Sequence, residues 1–182
     1  AAQLAAGVCC SIASWPSWCV VPETRRVGVL ATPATVASAA YSASIEALHP
    51  GALVVEQACP AFVPLIEAGD FSSDELRQLA KVYLEPLLAA SVETIVLGCT
   101  HYPLLIPLLK QLLPDAIQLV DPALGVARQL DAVLGVPRST PGDTLELGQC
   151  RFCVTADPDG FANRATPWLG ARPEVHLQRL QS

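Results

Sequence analysis

The sequence contains no methionine, no run of basic residues and no glycine-rich phosphate loop. A natural full-length product begins with methionine, so a piece of something longer is expected. Only 11 Lys and Arg stand against 17 Asp and Glu, for a net charge of −6. Nothing here tracks a phosphate backbone, so nucleic acid is not expected as a partner. Acidic surface also argues against an anionic membrane face. No breaker-free apolar run of spanning length occurs, so no transmembrane segment is expected. The first twenty-one residues lack the basic start of a secretory signal, and Trp15, Pro16 and Trp18 interrupt any helix there. Neither a G-x-G-x-x-G nor a Walker pattern appears, which disfavours nucleotide binding.

The seven cysteines are odd in number, scattered, and carried by 182 residues. A chain of that size does not depend on disulfide staples. Free thiols in a reducing cytoplasm are the simpler expectation. Cys150-x-x-Cys153 has no second Cys or His pair to complete a metal set, so its reading is structural and no metal is expected. Cys59 reads as packing, His49 as a helix C-terminal residue and His176 as surface.

About half the composition is apolar, enough for a core. From Val27 onward short apolar runs alternate with helical stretches. Strands are expected at Val27–Ala31, Leu53–Glu56, Thr94–Gly98, Ile117–Val120, Arg151–Thr155 and Val175–Leu180. Helices are expected from Pro33 to Leu48 with Thr32 as N-cap, from a capping box Ser72-x-x-Glu75, from Pro103 to Leu113, from Pro122 to Leu134 and from Pro158 to Leu169. In the second of these, Leu76, Leu79, Val82, Tyr83, Leu87 and Leu88 share helical spacing, and Pro86 is expected to kink or shorten it. Residues 136–148 read as loop. The alternation predicts an α/β fold, its sheet mostly parallel with helices on both faces. Residues 1–24 do not follow this grammar and stay unassigned.

The candidate chemistry lies at Gly98-Cys99-Thr100-His101-Tyr102-Pro103. Ligands of open α/β sheets bind beyond the C-terminal ends of strands, where Cys99 falls. A nearby helix N-terminus favours thiolate. His101 can move a proton, and Thr100 offers a hydroxyl and an N–H to a carboxylate. A lone cysteine after a buried strand is more often a small core residue. The polar triplet at a ligand-binding edge is what argues for function.

Leu97-Gly98-Cys99-Thr100-His101-Tyr102-Pro103-Leu104-Leu105 resembles the second active-site motif of glutamate racemases. Val27 to Val36, Ala58 to Glu67, Tyr83 to Leu87, Leu119 to Ala123 and Arg151 to Pro158 resemble further family segments in the same order. Related aspartate racemases usually carry Glu where His101 stands. The resemblance implies a cofactor-independent, two-base interconversion of L-glutamate and D-glutamate, supplying D-glutamate for peptidoglycan. It implies that Cys99 is one catalytic thiol, that Thr100 and His101 bind substrate, that His101 assists proton transfer and that Glu67 orients His101. A solvated carboxylate at a helix end is the competing reading of Glu67.

The family's Asp-Ser-Gly, Tyr-Gly and Ala-Cys-Asn-Thr segments, the last bearing its first cysteine, do not occur here. Cys9 and Cys10 are not followed by Asn-Thr and are not assigned that role. The expectation is therefore one complete racemase-type domain, residues 25–114, and an incomplete second one, residues 115–182. The chain alone is expected to be inactive. Two other functions remain open at this point: a non-catalytic remnant or regulatory partner, and a related dicarboxylate racemase, isomerase or decarboxylase using one cysteine. A homodimer is compatible with any of the enzyme readings.

Overall fold

The computed structural model describes residues 25–134 and 147–179. The expectations for residues 1–24 and most of 136–148 lie outside the described residues. The chain divides into two compact units, residues 1–136 and 137–182.

In the first unit, β1 (Arg26–Ala31), β2 (Leu53–Ala58), β3 (Thr94–Gly98) and β4 (Gln118–Val120) form one sheet in the order β2-β1-β3-β4. Every pairing is parallel. The connections carry α1 (Pro33–Ala37) and α2 (Ala40–Leu48), then α3 (Phe62–Glu67) and α4 (Asp74–Ala89), then a 3-10 turn (Tyr102–Leu105) running into α5 (Ile106–Leu112). α6 (Pro122–Leu134) follows β4. The sequence suggests a division after residue 114, whereas β4 pairs with β3 and the units part at 136.

Strand periodicity sends alternate side chains to opposite faces of the sheet. Leu30, Ile95 and Leu97 enter a core with Phe62, Leu76, Leu84, Leu87, Tyr102 and Leu109, which come from α3, α4, the 3-10 turn and α5. Val27, Val29, Ala31 and Val96 enter a second core with Tyr41 and Ile45 of α2. Both faces are therefore covered, as the continuous apolar run at 94–98 requires.

Several local expectations change. The helix from Pro33 is broken in two, because Ala39 takes a left-handed conformation with φ 50 and ψ 23. The Ser38 hydroxyl donates to the Thr35 carbonyl at 2.6 Å and supports that break. The N-cap of α4 is Ser73, not Ser72: its hydroxyl accepts from the Leu76 N–H at 3.0 Å. Pro86 neither ends nor shortens α4, which runs on to Ala89. Pro86 lacks the N–H that would bond the Val82 carbonyl, but both residues lie on the solvent face, where water can serve instead. Val82 and Leu88 are accordingly exposed, and Ala80 and Leu84 take the buried positions beside Leu76, Tyr83 and Leu87. α4 ends in a Schellman turn, with Val92 N–H on the Leu87 carbonyl and Ser91 N–H on the Leu88 carbonyl.

An L-residue in the left-handed region costs roughly 1–2 kcal/mol. Glycine removes that cost but gives back about 0.5–1 kcal/mol through its freer unfolded chain. Ala39→Gly should thus stabilise the protein by about 0.5–1 kcal/mol, read as a higher urea midpoint at unchanged slope. A lower midpoint would mean that the Ala39 methyl group is packed and matters more than its backbone.

In the second unit β5 (Phe152–Val154), α7 (Pro158–Leu169) and β6 (Val175–Leu177) make a βαβ segment with parallel pairing. The two strands are shorter than the sequence pattern predicts. Asp157 caps α7, its carboxylate accepting from the Gly160 N–H at 2.9 Å. Among the described residues no helix is long and apolar enough to cross a membrane.

Candidate active site

Register builds the site. Ala31 of β1 pairs with Ala58 of β2 and with Gly98 of β3. The three strands therefore end level, and the next residues, Thr32, Cys59 and Cys99, stand in a row along one sheet edge. Gly98 is needed there for space rather than for a special backbone angle. A Cβ on it would lie 3.0 Å from Tyr41 Cε2 and 3.1 Å from both the Ala31 Cβ and the Leu30 oxygen.

The three sequence candidates for the chemistry come together. Cys99 Sγ lies 3.9 Å from His101 Nδ1. His101 Nε2 lies 3.3 Å from Glu67 Oε1. Glu67 is the last residue of α3, and that end is set by a Schellman turn in which Gly69, at φ 82, is the left-handed residue. A carboxylate beside Nε2 favours the tautomer with its proton there. Nδ1 is then free to accept the thiol proton. Cys99 and His101 are half-buried, and Thr100 is exposed between them.

The thiol itself departs from the sequence expectation. Burial pushes the Cys99 pKa up, and the backbone N–H groups of His101 and Tyr102 oppose that without reversing it. The helix-terminal donors that favour thiolate are thus present, but desolvation in this half-buried turn outweighs them. At 3.9 Å, His101 Nδ1 can accept that proton.

Cys59 is not a second reactive thiol. It is buried, and its S–H donates to the Gln57 carbonyl at 3.5 Å. Burial pushes its pKa up to about 12, opposed by the Ala31 backbone. Its carbonyl accepts from the Tyr102 hydroxyl at 3.1 Å, which ties the Cys99 turn to the end of β2. Cys150 is half-buried ahead of β5, and Cys153 is exposed on it. Among the described residues no group of three or more His, Cys, Asp or Glu could hold a metal ion. His49 is the C-cap of α2, and His176 lies 3.8 Å from Glu174 at the surface.

These buried groups carry a pH prediction. The Cys59 pKa rises from 9.0 to about 12 and that of Tyr41 from 10.0 to about 12, in each case mainly by burial. Both are higher folded than unfolded, so the folded chain holds more protons in that window. Their contribution is complete below pH 9 and is lost as pH rises towards 12. For Cys59 alone it amounts to about 4 kcal/mol. Urea midpoints should hold steady up to about pH 9 and then fall steeply, less so in Cys59→Ala. A midpoint unchanged across that alkaline window would contradict the burial of both groups.

Residues 19–130 match the family model for Asp/Glu/Hydantoin racemases. The chain belongs to that family. A glutamate racemase of Synechococcus sp. (strain CC9605) is 74% identical over 160 residues, covering 87% of this chain and 60% of that protein. One from Gloeobacter violaceus is 47% identical over 157 residues, covering 86% of this chain and 57% of that protein. Among solved structures, glutamate racemase from Francisella tularensis in complex with D-glutamate superimposes with a TM-score of 0.75 at 29% identity, over 96% of this chain and 62% of that one. A glutamate racemase isoform from Bacillus anthracis gives 0.79 at 26% identity, over 95% and 64%. The chain thus spans about 60% of the length of the racemases it matches.

Two groups at the same edge of this racemase-family chain do not stand out in its sequence. Thr32 reads there only as an N-cap, and it does accept from the Thr35 N–H at 3.4 Å. Its hydroxyl also bonds that of Thr35 at 2.9 Å, so two hydroxyls stand together where β1 ends beside Cys99. Two threonines three apart, directly after a buried strand, are the available signal. Tyr41 is the other, and only the space around Gly98 reveals it.

Proposed function

We propose that this chain forms one side of the active site of a glutamate racemase. Cys99 is the thiol that exchanges a proton with Cα, His101 the group that takes and returns the thiol proton, and Glu67 the carboxylate that holds His101. Thr100, exposed beside them, binds a substrate carboxylate. The observation that carries this reading is the Cys99–His101–Glu67 series, 3.9 and 3.3 Å long, at the end of a parallel strand.

In the step proposed, the Cα–H bond breaks, an S–H bond forms on Cys99, and the electron pair stays on the substrate. A second thiol on the opposite face then donates its proton to Cα. The reaction is redox-neutral and takes no cofactor. The product role is supply of D-glutamate for peptidoglycan, in the cytoplasm, where thiols such as Cys59 and Cys99 persist unpaired.

Residues 137–182 are read as completing the domain that carries the second base. A two-stranded parallel sheet is marginal alone, and Trp168 and Leu177 are exposed in this unit, which supports the need for further strands. A homodimer is compatible with exposed Val82 and Leu88 on α4. The test is solvent deuterium exchange at Cα, followed by NMR, with L-glutamate, D-glutamate and aspartate as substrates. Exchange confined to glutamate supports the reading. Equal exchange into aspartate would move the chain to a broader dicarboxylate specificity.

A further inference from the structure

We propose that Tyr41, anchored through Ser42 by Glu56, is a positioning residue that sets the place of Cys99 at the end of β3. The proposal rests on the reading of Cys99 as the reactive thiol and names what holds it there.

The geometry runs across three strands on the face opposite His101's neighbours in the Phe62 core. Tyr41 lies in the second residue position of α2, 4% exposed, packed with Val29, Ala31 and Val96. Its ring edge passes so close to Gly98 that a Cβ there would sit 3.0 Å from Cε2. The residue just before Cys99 thus has no side chain, and the tyrosine ring occupies the space one would fill. The ring is the floor on which the strand-to-turn exit rests.

What holds Tyr41 is a carboxylate from the neighbouring strand. α2 begins after Ala39, which is left-handed and offers no side-chain cap. Glu56 of β2 supplies one instead. Its Oε1 accepts from the Ser42 N–H at 3.0 Å and from the Ser42 hydroxyl. A carboxylate on a free first-turn N–H satisfies an orphan donor and suits the helix dipole. Among the described residues Glu56 Oε2 is buried with no hydrogen-bond partner, while Oε1 is taken up by Ser42 at the α2 end. Electrostatics agrees with the placement. Burial raises the Tyr41 pKa to about 12, and the charges of Cys99 and then Glu56 push it the same way. The phenol therefore stays neutral.

The unbroken helix expected from Pro33 to Leu48 could not do this. The break at Ala39 re-aims the chain so that Tyr41 passes beneath Gly98. The left-handed alanine two residues before a buried tyrosine then has a purpose.

The experiment is alkylation of the whole chain with limiting iodoacetamide across the neutral to alkaline range, read by mass spectrometry at each cysteine. Exposed Cys153 is the reference thiol, and buried Cys59 reports opening of the core. Tyr41→Phe keeps the ring and should leave the Cys99 profile as it was. Tyr41→Leu removes the floor. Cys99 should then react at least ~3-fold faster relative to Cys153 at neutral pH, its profile moving to lower pH as the turn opens to water. Glu56→Ala should shift Cys99 in the same direction by less, and Glu56→Gln, which can still accept from Ser42, should restore the original profile. Cys59 should stay protected throughout. An unchanged Cys99 profile in Tyr41→Leu overturns the proposal. So does a joint rise of Cys59 and Cys99 in both Tyr41→Leu and Glu56→Ala, which would make these residues core packing only. A Cys99 shift in this chain, with no glutamate exchange by the chain joined to the upstream segment of its Synechococcus relative, would uphold the positioning and sink the racemase reading instead.

Discussion

Cys99→Ala should abolish turnover when the chain is joined to the upstream segment of its 74%-identical Synechococcus relative. A general base in place contributes roughly 10²–10⁴-fold. In the proposed role the same thiol also returns a proton in the reverse direction, so a loss of at least about 10³ is expected. His101→Asn should fall short of that: Cys99 remains, but its burial-raised pKa then stands without the acceptor at Nδ1. Glu67→Gln should cost less again, since it can still meet His101 Nε2 without a charge. The 182-residue chain alone should not racemise. Among the described residues Cys99 is the one thiol facing the strand ends beside a histidine, and Cys59 is buried and bonded to Gln57. One base cannot serve both faces of Cα. Chiral chromatography checks both claims. Racemisation by the chain alone, lost in Cys99→Ala, would show that a second base lies within it.

Much of this site is legible in the sequence because it is local. Thr94–Gly98 is an apolar, β-branched run, and such a run buried on both faces has few alternatives to a central parallel strand. Cys99 and His101 sit two residues apart after it, so their meeting needs no long-range information. Glu67 is 34 residues from His101, and nothing in the spacing alone brings them to 3.3 Å. That pairing is available only through resemblance. What escapes is non-local or backbone-borne. Ala39 and Ser91 both take left-handed angles where glycine would have signalled a turn, so the sequence shows no punctuation at either. Ser73 rather than Ser72 caps α4 because Asp70 fixes the preceding loop, accepting from the N–H groups of both serines and from the Ser73 hydroxyl. The thiol's raised pKa escapes for a related reason. A helix terminus is visible in sequence, but the burial that outweighs it is not. The second unit starts later than expected because β4, three residues long, gives little sign of which strand it joins.

Phe62→Ala should be the most damaging single change to the fold of the first unit, at about 3–5 kcal/mol. Phe62 is fully buried at the start of α3. Its ring meets Tyr83 of α4 edge-on with centroids 5.0 Å apart, and Tyr102 of the Cys99 turn edge-on at 5.3 Å. Two such contacts add roughly 0.5–1.5 kcal/mol each beyond area burial. The two tyrosines are themselves committed elsewhere, Tyr102 to the Cys59 carbonyl and Tyr83 to the Ala61 N–H at 3.4 Å. They cannot swing freely into the vacated space, so a cavity should remain rather than collapse. Domains are commonly stable by only about 5–15 kcal/mol, so this loss could take a third or more. It should also reach the chemistry. Phe62 and Glu67 lie on the same short helix, and Tyr102 follows His101 directly, so loosening that joint relaxes the Glu67–His101 contact from both sides. Urea unfolding followed by far-ultraviolet circular dichroism gives the stability change, and the Cys99 alkylation rate gives the effect on the site. A loss below about 1 kcal/mol would mean that the aromatic joint repacks, and that α3 is held by something other than Phe62.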